Sequence, residues 1–135
     1  AEDVFRRKIR AGLADEKRAA RLVSRLPEVE CAYGISNVDE GYACACQWDH
    51  PNGWAPIQYI VAAGLERYGY TADAHRVMEK YVTLVRRVFA ETGMLWEKYN
   101  MVTGKVATTR ENTTTPMLGW TAGVYAYFSH RLGEL

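Results

Sequence analysis

Gln47-Trp48-Asp49-His50-Pro51-Asn52-Gly53-Trp54-Ala55-Pro56-Ile57-Gln58 is the stretch on which the reading of this chain turns. Ordinary core sequence does not look like this. Two Trp, two Pro, a Gly and an Asn stand beside one carboxylate and two glutamine amides. Indole faces suit the C–H surfaces of a sugar ring, and amides and a carboxylate suit its hydroxyls. Gly and Pro fix a loop that can hold them still.

Working outward, the residues on either side read as helices. A helix starts near Trp54, with Pro56 tolerated in its first turn, and ends at Gly69, which fits the left-handed position after a helix end. Ile57, Val61, Leu65 and Tyr68 fall on one face. Thr71 then caps a longer helix carrying Ala74, Val77, Met78, Tyr81, Leu84, Val85 and Val88 on one stripe, closed by Gly93. Upstream, Phe5, Ile9 and Leu13 recur at spacing four and predict a short helix. Asp15 caps a second one that buries Ala19, Leu22, Val23 and Leu26 and stops at Pro27. Residues 27 to 53 show no helical period and read as one long loop of the kind that carries function. Residues 94 to 99 alternate like a strand, and Gly104 turns the chain back toward 106 to 112 in a short β-hairpin. Thr113 to Pro116 is extended loop, and a last helix runs from about Trp120 to Leu132. Helix hairpins joined by long loops predict an all-α array in one domain spanning residues 1–135.

The totals narrow the function classes. A chain of 135 residues, 48% hydrophobic and 24% charged, has the composition of an ordinary globular domain. Its formal net charge is +1 and no basic stripe appears, so neither nucleic acid nor an anionic membrane is expected as a partner. No apolar run is long enough to span a bilayer. Cys31, Cys44 and Cys46 are too few and too close for a disulfide framework and lack the further ligands of a zinc site. They read as small side chains flanking the motif. Compartment stays open between cytoplasm and periplasm.

Two further segments are chemically rich, and all four Trp lie in these and the first motif. In Met94-Leu95-Trp96-Glu97-Lys98-Tyr99-Asn100, Glu97 shares a strand face with Leu95 and Tyr99. A partly desolvated carboxyl there suits general acid–base work; the alternative is a surface charge pair with Lys98. In Glu111 to Tyr125, Trp120 is a sugar platform or a core helix residue. Within the first motif, Trp48 is the candidate stacking platform. Gln47, Asp49 and Asn52 are candidate hydroxyl ligands, although Asn52 is equally placed to cap the next helix and Asp49 to brace the loop.

The three segments, in this order, resemble the trehalases. The first is similar to their QWDxPNGWAPxQ signature. Trp96-Glu97-Lys98-Tyr99-Asn100 resembles the family's V-E-K-Y-[DN] segment. Glu111 and Leu118-Gly119-Trp120-Thr121-Ala122-Gly123-Val124 resemble the glutamate and closing G-W-T-N-G-V, with the family's spacing of nine from Glu111 to Trp120. The resemblance covers about residues 44 to 128. It departs at Asn112 to Leu118, at Ala122 in place of Asn, and in the missing glycine-rich lid.

That resemblance implies an (α/α)6 toroid and an inverting hydrolysis of trehalose or a related α-glucoside. Glu97 would be the general base. Gln47, Trp48, Asp49, Asn52, Glu111 and Trp120 would line the sugar site. No metal and no cofactor is implied, because two carboxyls and a water suffice. The family's general acid is an Asp upstream of the first motif, and its surroundings have no counterpart here; nothing recommends Asp39 or Glu40. The chain is therefore expected to be the C-terminal part of a trehalase-like domain, with the acid outside it. Its unpartnered helix faces would self-associate or meet the missing part of the barrel. The alternatives are another toroidal glycosidase, of mannosylglycerate hydrolase or α-glucosidase type, and a non-catalytic sugar-binding or assembly module.

Overall fold

The computed structural model describes residues 14–41, 46–110, 113–117 and 119–135. The helix expected on Phe5, Ile9 and Leu13, together with Cys44 and Glu111, lies outside these residues. Four α-helices and five short strands make up the described fold: α1 Glu16–Val23, β1 Glu30–Cys31, β2 Gly34–Ile35, β3 Asn52–Trp54, α2 Ala55–Arg67, α3 Thr71–Thr92, β4 Lys98–Asn100, β5 Lys105–Val106 and α4 Gly119–Arg131.

Helices α2, α3 and α4 form where the apolar period predicts them, while α1 ends at Val23, short of the expected stop at Pro27. Asp15 caps α1, its carboxylate accepting the Arg18 N–H at 2.8 Å. Pro27 sits in a 3₁₀ turn, Leu26–Glu28, that buries Leu26. Helix α2 carries Pro56 in its first turn, where no intrahelical N–H is lost. Gly69 and Gly93 take φ of +81° and +69°, the left-handed conformation that ends α2 and α3 without a Cβ clash. Tyr70, not Thr71, stands at the cap position of α3, and Thr71 is its first helical residue. No side chain caps this helix, whose stability comes from its buried stripe instead. That stripe packs with α2 and α4 around Tyr81, Tyr99 and Phe128, whose rings meet edge to face.

The expected long loop is more ordered than its sequence indicates. β1 and β2 pair antiparallel, Glu30 with Ile35 and Cys31 with Gly34. Glu30 fixes this ribbon to α3 through Arg76 at 2.8 Å and Lys80 at 2.6 Å; its hydrogen bond to Arg76 and the Lys80 charge hold its carboxyl below the usual range. The motif itself supplies β3, which pairs antiparallel with β4, and β4 pairs with β5. The expected hairpin of residues 94 to 112 is therefore shorter, and it belongs to a three-stranded sheet. Trp96 makes only a single bridge, to Pro116. Asn100 shapes the β4–β5 turn, its side-chain oxygen accepting from the Val102 and Thr103 N–H groups. β1, β2 and β3, of two or three residues, display no alternation to read, so only the β4–β5 hairpin is expected from the sequence.

Gln58, fully buried on α2, closes the backbone account of β2. Its amide accepts the Ile35 N–H at 2.8 Å and donates to the Ile35 carbonyl at 2.7 Å. Gln58→Leu would leave both backbone groups dry and unpaired, at about 1–3 kcal/mol each. We expect the unfolding free energy, read by urea titration, to drop by about 2–5 kcal/mol. A loss under about 1 kcal/mol would mean that water takes over both bonds.

Candidate functional site

The first motif is braced from within. The Cys46 carbonyl accepts the Asp49 N–H at 3.1 Å and the Asn52 side-chain amide at 3.0 Å, while the Asp49 carboxylate accepts the Cys46 N–H at 3.2 Å. The Asn52 N–H returns to the Asp49 carbonyl at 2.8 Å. Asp49 thus braces the loop. Asn52 lies buried in β3 and does not cap α2, because Trp54 occupies that position. The His50–Pro51 peptide bond is cis. Cys46 is disulfide-bonded, against the reading of the cysteines as small side chains flanking the motif. Cys31 is free, and burial raises its thiol pKa.

Trp54 is the hub. It is 4% exposed, and its indole N–H donates to the Gln47 carbonyl at 3.0 Å. Trp48 lies flat on it, with ring centroids 4.2 Å apart and planes 3° from parallel, and remains 44% exposed. One indole face of Trp48 is therefore covered by Trp54. Trp120, 38% exposed at the start of α4, meets Trp54 edge to face at 5.5 Å. It is a surface residue rather than a core one. Gly53 is required by the same packing. A Cβ there would stand 2.6 Å from the Ile35 carbonyl oxygen and collide with the Met101 side chain.

The second segment reaches this hub through the sheet. Trp54 and Lys98 are direct cross-strand partners, so their side chains share a face. The Lys98 ammonium sits over the Trp54 ring at 5.2 Å and donates to Glu97 Oε2 at 2.8 Å. Lys98 is fully buried, while the Glu97 side chain is 16% exposed. The charge pair read from the sequence exists, but its cation lies in the core. Glu97 precedes β4 rather than lying within it, and its largely buried side chain is covered beside Lys98. Tyr99 instead points its hydroxyl at the backbone, accepting the Trp96 N–H at 3.0 Å, and burial raises its phenol pKa.

The third segment is tied to the second. Thr115 accepts the Glu97 N–H at 2.9 Å, Leu95 accepts the Met117 N–H at 2.8 Å, and the Thr121 hydroxyl donates to the Trp96 carbonyl at 2.8 Å. Trp48, Trp54, Glu97, Lys98 and Trp120 are thus brought into one cluster, with Gln47, Asp49 and Asn52 around its first loop. The sequence reading gave Lys98 only a surface charge pair and Trp54 only the start of a helix. The position of Lys98 between Trp96 and Tyr99 was the available signal. The uncovered face of Trp48 can stack on a pyranose ring and the Glu97 carboxylate can take a proton; Trp54 and Lys98 link the two side chains. No described helix is long and apolar enough to cross a membrane.

Comparison with known proteins gives a consistent pattern. The trehalase family profile matches residues 9–133. The periplasmic trehalase of Xanthomonas oryzae pv. oryzae is 36% identical over 118 residues, covering 84% of this chain and 20% of that protein. The cytosolic neutral trehalase of Pyricularia oryzae is 38% identical over 101 residues, covering 67% of this chain and 14% of that protein. Among solved structures, the neutral trehalase of Saccharomyces cerevisiae superposes with a TM-score of 0.75 at 27% identity, over 94% of this chain and 22% of that one. The helix hairpins are those of this toroidal fold. The chain spans only 14–20% of the length of these two curated relatives.

Proposed function

Because the chain belongs to the trehalase family, we propose that it forms the C-terminal part of a catalytic domain that hydrolyses trehalose to two glucoses with inversion. The observation that carries this reading is the convergence of all three segments on Trp54, which sets the exposed Trp48 indole and the Glu97 carboxylate into one cluster. In this reading Glu97 is the general base. It takes a proton from a water that attacks the anomeric carbon as the glycosidic C–O bond breaks. Trp48 and Trp120 stack against sugar rings, and Gln47, Asp49, Asn52 and Glu111 hold hydroxyls or the loop that presents them. The acid that protonates the leaving oxygen comes from outside these residues, in the length that the relatives have and this chain does not. Phe89, Met94 and Tyr127 are exposed apolar side chains. They offer a surface for the remaining helices of the ring or for a second copy.

The test is a panel of trehalose, mannosylglycerate and α-linked glucosides offered to the whole catalytic domain, the acid-bearing part together with this chain, with anomers followed by proton NMR. Inversion on trehalose releases one α- and one β-glucose per bond; retention releases two α-glucoses. We expect turnover of trehalose, with Trp48→Ala raising KM at least tenfold, the equivalent of about 1.4 kcal/mol of lost stacking. Preference for mannosylglycerate or another glucoside would move the enzyme to a neighbouring toroidal glycosidase. Binding without turnover would make it a sugar-binding module.

A further inference from the structure

Among the described residues, the Glu97 side chain is held through one carboxylate oxygen. Lys98 donates to Oε2 at 2.8 Å, and among the described residues Oε1 takes no hydrogen bond. Lys98 itself has little freedom. It is fully buried, its backbone is paired across from Trp54 in the sheet, its carbonyl accepts the Ala107 N–H at 3.3 Å, and its ammonium lies over the Trp54 ring at 5.2 Å. A buried ammonium needs an anion and a ring face to be tolerated there, and both are supplied. The cation is thus anchored more firmly than the carboxylate it touches, whose residue lies outside the strand ladder.

We propose that Lys98 is a positioning residue for the reaction, acting through Glu97: it pins Oε2 so that Oε1 is the oxygen offered to the attacking water. The proposal rests on the reading of Glu97 as the base. It adds a direction to that reading, since one carboxylate oxygen is reserved for the protein and the other for the water. The Trp54 ring meets the same ammonium, so the aromatic cluster and the base share one cation.

The test uses Lys98→Met, which keeps length and apolar volume, in the wild type and in a Glu97→Gln background. In a crystal structure of Lys98→Met, the Glu97 carboxyl is expected to leave its place beside residue 98. An unmoved Glu97 would overturn the proposal whatever the activity. On trehalose, kcat is expected to fall about 10²-fold with KM changed less than about threefold, as for a misplaced reacting group. In the Glu97→Gln background the same substitution is expected to cost nothing further, because both changes remove one unit. A full additive loss would overturn the proposal by making Lys98 act independently of Glu97. If Lys98→Met does not fold, Lys98→Gln carries the test, with a kcat loss of at least tenfold expected and an unchanged kcat overturning it. If Glu97→Gln keeps the wild-type rate, the base assignment fails, and the crystal structure alone decides whether Lys98 positions Glu97.

Discussion

Glu97→Gln is expected to lower kcat for trehalose by about 10²–10⁴-fold, the usual contribution of a positioned general base, with KM within a few-fold. The substitution changes one oxygen to an amide nitrogen and little else in shape. Its remaining oxygen can still accept from Lys98, so the fold should survive, and thermal unfolding of the variant checks that. The variant lacks a carboxylate to take the proton from water, while Trp48 and Trp120 are untouched. Substrate binding should therefore outlast turnover, a separation that isothermal titration and NMR product analysis read independently. Wild-type turnover in a folded Glu97→Gln protein would dismiss Glu97 as the base. Weak binding with weak turnover in equal measure would instead assign Glu97 to the sugar hydroxyls.

What the sequence made legible follows from the length of each signal. Helices α2 and α3 run for 13 and 22 residues, enough turns for an apolar stripe to repeat, and Gly69 and Gly93 mark their ends by a conformation other residues avoid. Strands β1, β2 and β3 have two or three residues each, too few for a period of two to appear, whereas the β4–β5 hairpin is announced by Gly104. The partner of β3 lies far off in the chain: Asn52 pairs with Asn100, and no local pattern encodes that register. The three chemical segments were legible as residue types, but their meeting point was not. Trp54 looked like a helix residue because Ala55 begins α2 immediately after it, yet its backbone closes β3 and its ring faces Lys98. Lys98 looked like a surface charge because lysine is seldom fully buried. It is buried here because Glu97 and the Trp54 ring meet its ammonium. The Cys46 disulfide likewise escaped a reading based on spacing alone.

Trp54→Ala should therefore damage stability and site together. Removing a buried indole costs about 3–5 kcal/mol where the surroundings relax only partly. Here the cavity would open under Trp48, beside Lys98 and against the edge of Trp120, three contacts from three different segments. Trp48 would lose the ring that holds it flat, so sugar affinity should fall as well, although Trp54 itself is almost wholly covered. Trp54→Phe separates the two roles. It keeps a ring between Trp48 and Lys98 but gives up the indole N–H bond to the Gln47 carbonyl, worth about 0.5–1.5 kcal/mol. We expect urea unfolding to place Trp54→Phe between wild type and Trp54→Ala, with trehalose KM near wild type in the first and raised in the second. A Trp54→Ala protein that is destabilised but keeps its KM would reduce Trp54 to packing and leave Trp48 oriented by its own loop. The opposite result, lost affinity with little lost stability, would mean that the loop collapses into the cavity and carries the platform with it.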